Sequence, residues 1–168
     1  CTLQLKELIG KSETEIHRHN VDSLLYLSIL IADFQANHFV LSHLKSTDKL
    51  EIISSVKLKR LLYEWENELN SKTEAFNMWN TYFMNSLIPF LDENASVRNM
   101  DYYGEYSWSS LSPLEYDPSG MFQMMQFDNR LENHIWCLHA FSESIDNLVA
   151  IAKDVNGEIA SEKTRLNP

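Results

Sequence analysis

Glycine and proline are scarce, with four of each in 168 residues. A sandwich or barrel of many short strands needs frequent turn residues, so the scarcity disfavours all-β architectures and favours long helices. Cysteine is scarcer still. Cys1 and Cys137 are the only two, too few for a disulfide framework and without the Cys-x-x-Cys spacing of a thiolate zinc site. A single bridge between them stays open, while Cys137, in an apolar stretch, reads as a buried and inert thiol. Positive charge is also in short supply. Fourteen Lys and Arg against 24 Asp and Glu give a net charge of −10. That excludes the clustered cations of a nucleic-acid binder, so no nucleic-acid partner is expected. It equally excludes docking on anionic lipid through a basic face. The most apolar window, Leu24 to Ile31, is closed off by Asp22 and Asp33. It spans about half of the roughly 20 residues that a membrane crossing needs.

What is present is a large apolar fraction, 44%, in a chain short enough for one domain over residues 1–168. Large apolar side chains recur at three- and four-residue spacing in four stretches, the signature of helices that cover one another. The first stretch runs from Thr2 to about His19. The second, from Asp22 to Leu44, carries Leu24, Leu27, Ile31, Phe34, His38 and Leu41 in a heptad register. After a connector at Ser46–Asp48, Leu50 to Ile53 predicts a short apolar turn of helix, and Ser54 or Ser55 an N-cap. The third stretch, Ser55 to Phe90, is the strongest. Leu58, Leu62, Trp65, Leu69, Phe76, Trp79, Phe83 and Phe90 share a seam, with Lys72 and Ser86 as its polar members. Such a rod is roughly 50 Å long, and Pro89 should kink or end it. The last helix is expected to open at Asp128 or Asn129, with Asn129 and Glu132 as a capping box. It then follows a seam from Leu131 to Ile159 and frays after Ser161. The predicted fold is all-α: an antiparallel bundle of about four helices, including one long helix.

Between the third and last helices, residues 92–118 break the pattern yet hold Tyr102, Tyr103, Tyr106, Trp108 and Tyr116. Linkers are poor in aromatics. This loop is therefore expected to pack on the bundle end, and its five aromatic residues form the candidate contact surface for a partner or a small ligand. A short Met-rich helix over residues 119–126 follows.

Motifs that carry chemistry are missing. No Glu has His three positions on, which a carboxylate-bridged di-metal bundle requires. Glu13/His17 and Glu15/His19 have spacing four and read as solvated pairs on a helix surface. His38/His43 and His134/His139, five apart, do not share a helix face. Neither His-Glu-x-x-His, a Gly-rich phosphate loop nor Gly-x-Ser-x-Gly occurs. No catalytic residue, cofactor or metal is therefore expected, and a metal site would have to be assembled from separate helices. Asn94-Ala95-Ser96 fits a glycosylation acceptor but carries no weight alone.

Thr47-Asp48-Lys49-Leu50-Glu51-Ile52-Ile53, Leu58-Lys59-Arg60-Leu61-Leu62 and Glu64-Trp65 resemble a pattern in a family of uncharacterised bacterial proteins of the Bacteroidota type. Leu87-Ile88-Pro89-Phe90-Leu91 and Phe127-Asp128-Asn129-Arg130-Leu131 are similar to later features of the same family. The resemblance spans residues 38–160. Asp48 departs from it, replacing the usual Gly, though Asp tolerates a left-handed turn better than most residues. The resemblance implies a helical domain outside the cytoplasm, periplasmic or otherwise, tethered by a membrane helix that is absent from this chain. Cys1 reads as a cut point in a longer chain or, alternatively, as the lipid-bearing first residue of a lipoprotein. The expected role is non-enzymatic contact with a protein partner, self-association remaining open. The alternative is a small-ligand-sensing bundle with a pocket near the aromatic loop.

Overall fold

The computed structural model describes residues 1–35, 39–104 and 110–166. The fold is all-α, with no strand among the described residues. In chain order the helices are α1 (Thr2–Glu7), α2 (Glu13–Ile16), α3 (Val21–Ile29), α4 (Phe39–Ser46), α5 (Val56–Tyr82), α6 (Ile88–Asn94), α7 (Val97–Tyr102) and α8 (Met125–Leu166). Short 3-10 turns at Lys49–Ile52 and Pro118–Gln123 precede α5 and α8, and a π turn at Phe83–Leu87 joins α5 to α6.

Local chemistry sets several boundaries. Gly10, at φ 72°, makes the reversal between α1 and α2, a conformation that other residues adopt at a cost. Asp48 takes the left-handed conformation expected of it, at φ 54°. The Leu58 amide donates to Ser55 Oγ (3.1 Å), so Ser55 caps α5. Pro89 opens α6. Its ring forbids the ordinary contact with the carbonyl four residues back, and the wider π turn before it relieves that clash. The Ser86 carbonyl in this turn accepts from Arg130 Nε (3.2 Å).

Other boundaries differ from the periodicity. The apolar register of residues 22–44 predicts one helix, but α3 stops at Ile29 and α4 begins only at Phe39. Side chains have taken the carbonyls that a continuing helix would use. The Ser28 carbonyl accepts from the His134 ring (2.9 Å), and the Phe34 carbonyl accepts from Lys72 Nζ (2.6 Å). The expected loop 92–118 contains α7, whose cap is the Ser96 hydroxyl accepting from the Asn99 amide. The last helix starts at Met125, so Asn129 and Glu132 lie inside it and not at its cap. Burial of Phe127 between the Phe90 and Phe122 rings draws that first turn into the helix. Helix α8 continues past Ser161 to Leu166.

Packing divides the chain into two compact units. Unit 1 comprises Cys1–Ala32 and Met78–Leu138. Its core joins Leu5, Ile16, Leu25, Leu91, Phe122 and Phe127, all at or below 1% exposure, and continues through Phe90 and Met100. Within it α8 runs antiparallel to the chain from Trp79 to Phe90: Trp79 meets His134, Tyr82 Oη donates to the Arg130 carbonyl (2.9 Å), and Phe90 stacks on Phe127. Unit 2 comprises Asp33–Asn77 and His139–Pro168. Here too α5 and α8 are antiparallel. Ser55 Oγ donates to Glu158 (2.7 Å), Asn147 to Glu68 (3.3 Å), and Phe76 meets Phe141 with ring centroids 5.8 Å apart. Cys1 is exposed and Cys137 buried; both are free thiols.

Candidate functional site

Unit 2 holds two adjoining apolar clefts walled by helix stripes. On α5, Leu58, Leu61 and Leu69 are buried while Leu62 and Trp65, on the same stripe, are only half-covered. On α8, Ile145, Leu148, Ala152 and Val155 follow three-four spacing, and of these Leu148 alone is buried. Helix α4 lies over this pair without burying any of its own side chains. Two clefts result, each of about 270 Å³. One is walled by Leu41, Leu44, Leu62, Trp65 and Val155, with Asn156 as its polar group. The other is walled by Phe34, Ile145, Leu148 and Val149. Trp65 and Ala152 belong to both, so the clefts adjoin along one groove. Phe39 and Val40 extend the apolar surface at 73% and 66% exposure. At the rim, Lys45 pairs with Glu66 and lies 5.1 Å from the Tyr63 ring centroid. Further along α8, Glu158 pairs with Lys57 (3.0 Å).

The aromatic residues expected to form one contact surface take different places. Tyr102 and Tyr103, at the end of α7, are both exposed and meet edge to face at 5.2 Å. Tyr106 and Trp108 lie outside the described residues. Tyr116 turns inward and packs on the unit 1 core. Burial, reinforced by the nearby Asp22 carboxylate, pushes its phenol well above the usual range. Asp22 is in turn raised by burial, with the Asn99 side chain opposing the shift. Among the described residues, Tyr102, Tyr103 and Tyr116 do not line the clefts of unit 2.

Two buried polar residues on the helical seams resemble functional groups. His134 has no exposed surface. Its Nε2–H donates to the Ser28 carbonyl, and burial lowers its pKa, so the ring is held neutral with Nδ1 bare. The Ser28 hydroxyl is engaged elsewhere, donating to the Leu25 carbonyl (2.7 Å). Lys72, 5% exposed, pairs with Asp33, donates to the Phe34 carbonyl, and lies between the Phe76 and Phe141 rings at 5.7 and 5.9 Å. His134 ties down the last turn of α3 in unit 1, and Lys72 ties down Asp33 and Phe34 in unit 2.

The three- and four-residue spacing puts Trp65, Leu62 and Val155 on helical seams, where packing is the expected role. The spacing marks those positions. It carries no signal that the stripe stays open, because that depends on how much neighbouring chain is available to cover it. No helix among the described residues is long and apolar enough to cross a membrane. No family model, curated protein or solved structure matches the chain.

Proposed function

We propose that the protein is a non-enzymatic helical module that acts by protein contact, and that the Trp65 groove of unit 2 receives an amphipathic helix of a partner. The observation that carries this reading is the open apolar groove between α4, α5 and α8, continuous through Trp65 and Ala152. A helix offering apolar residues at i, i+3, i+4 and i+7 fits such a groove. The net charge of −10 favours a partner whose stripe is bordered by Lys or Arg. The same charge disfavours a second copy of this chain. The resemblance across residues 38–160 supports a bacterial, extracytoplasmic and membrane-tethered setting. Gene sequence upstream of Cys1 that encodes no apolar span of about 20 residues, nor a lipoprotein signal, would remove the tether.

Ala152→Glu places a carboxylate in the shared wall of both clefts. Fluorescence anisotropy with a labelled Leu/Lys amphipathic 18-residue peptide is expected to show binding to the wild type. Binding should weaken at least tenfold with Ala152→Glu, and likewise when the peptide sequence is scrambled to break its stripe. Equal binding to both proteins, or to both peptides, would overturn the reading. Competition by dodecanoate with no peptide binding would assign the groove to a small apolar ligand instead. Wild-type dimers abolished by Ala152→Glu, again without peptide binding, would assign it to a second copy.

A further inference from the structure

Glu13 and His17, four apart at α2, read from sequence as a solvated surface pair. The fold brings Asp117 to them from 100 residues further along the chain. His17 Nε2 lies 2.9 Å from Asp117 Oδ1, and one ligand-type atom from each of Glu13, His17 and Asp117 falls within 4.8 Å of the others. We infer that Glu13, His17 and Asp117 form a surface site for a divalent transition-metal ion of the zinc type.

Three observations support it. First, the ligand set is one imidazole with two carboxylates, which suits Zn²⁺ and its neighbours and not the all-oxygen shells of Ca²⁺ or Mg²⁺. Second, the two segments are already fastened together. The Gly10 amide donates to the Phe122 carbonyl (2.9 Å), and Gln123 Nε2 donates to the Lys11 carbonyl (2.7 Å). The cost of bringing distant ligands together is thus met by the fold. Third, Asp117 is oriented for the task. Its carboxylate accepts from the Ser119 amide (2.9 Å) and the Ser119 hydroxyl (2.8 Å), an outer shell of the sort that steadies metal-binding carboxylates. The neighbouring candidate pair diverges: the Glu15 carboxylate accepts from the Ser12 amide and hydroxyl, closing a capping box at the start of α2. Glu15 and His19 are therefore the natural controls.

A metal ion would replace the hydrogen bond between His17 and Asp117. Zn–N and Zn–O bonds of about 2.0–2.2 Å set ligand atoms closer together than 4.8 Å, so the exposed side chains would close on the ion, leaving a fourth position to water. The ion would staple α2 to the 3-10 turn that leads into α8.

The test is isothermal titration of untagged protein with Zn²⁺, in a Cys1→Ser background so that the exposed terminal thiol does not compete. One equivalent is expected to bind and to raise the thermal midpoint. His17→Ala and Asp117→Asn should each weaken binding at least tenfold, His19→Ala and Glu15→Gln less than twofold, and equimolar Ca²⁺ should not displace the ion. Circular dichroism identifies any variant that has lost its fold. Absence of Zn²⁺ binding at millimolar concentration would leave a surface hydrogen bond only and overturn the site. So would equal affinity in His17→Ala and the parent.

Discussion

The two units use the same helical periodicity to opposite ends. In unit 1, Leu5, Ile16, Phe122, Phe127 and His134 have no exposed surface at all, whereas the most buried apolar side chain of unit 2, Leu148, retains 2%. Unit 1 surrounds its parts of the long helices with α1, α2, α3, α6, α7 and a 3-10 turn. Unit 2 covers its parts of α5 and α8 with only α4 and the other 3-10 turn among the described residues. Two facing helices bury only the seam between them, so the flanks of their apolar stripes need further elements. Where those elements are plentiful a closed core forms. Where they are few, the same stripes become the walls of a groove. The difference separates a part whose apolar stripes are closed over from a part whose stripes line open clefts.

Removing equivalent groups from each unit gives the sharpest break. Phe127→Ala deletes a ring packed on Phe90 and Phe122 and is expected to cost about 3–5 kcal/mol in chemical denaturation. A loss under about 1 kcal/mol would show that the unit 1 core is not close-packed.

Glycine substitutions give a contrast of sign. A methyl group at Gly104 would lie 2.5 Å from the Tyr26 ring, so Gly104→Ala should destabilise by about 1–3 kcal/mol through overpacking. At Gly157, inside the α8 portion of unit 2, an added methyl meets nothing within 4 Å. Gly157→Ala should therefore stabilise by up to about 1 kcal/mol, from helix propensity alone. Thermal midpoints that move in the same direction for both would contradict the contrast.

Acid should act through unit 1. Burial depresses His134 below its ordinary 6.5, so its neutral form is favoured in the folded state. The unfolded chain then binds more protons as pH falls below 6.5, and stability declines toward the depressed folded value. For this one group the slope is at most about 1.4 kcal/mol per pH unit. His134→Leu should start less stable, since the Ser28 carbonyl loses its donor, but should show a shallower decline between pH 6.5 and 5. Parallel curves for the two proteins would exclude His134 as a source. The smallest effect belongs to Phe39→Ala. With that side chain 73% exposed, it should change stability by no more than about 0.5 kcal/mol, so any larger loss of peptide binding reports on the surface itself.

Much of this architecture is legible in the residues. Few Gly and Pro, with apolar side chains at three and four from Leu58 to Phe90, imply the long α5 rod. Ser55 and Asp48 announce the cap and the turn that precede it. The break between α3 and α4 is not legible, because Ile31 and Phe34 keep the register while His134 and Lys72, distant in sequence, take the carbonyls. The metal-type cluster was half legible: Glu13 and His17 have a helical spacing, but Asp117 joins them only through the contacts of Gly10, Lys11, Phe122 and Gln123. For the groove, wall residues such as Leu62, Trp65, Leu148 and Val155 are predictable as apolar seam, while Val149 and Asn156 are not.

By itself the sequence determined which faces of which helices are apolar, since side-chain order along a 3.6-residue period is a local property. It also determined the acidic exterior. Only the tertiary structure decided which of those faces were covered and which left open, because burial depends on how many elements are near enough to share a surface. It likewise decided which carbonyls and carboxylates met partners, because hydrogen bonds between residues about a hundred positions apart follow from packing and not from spacing.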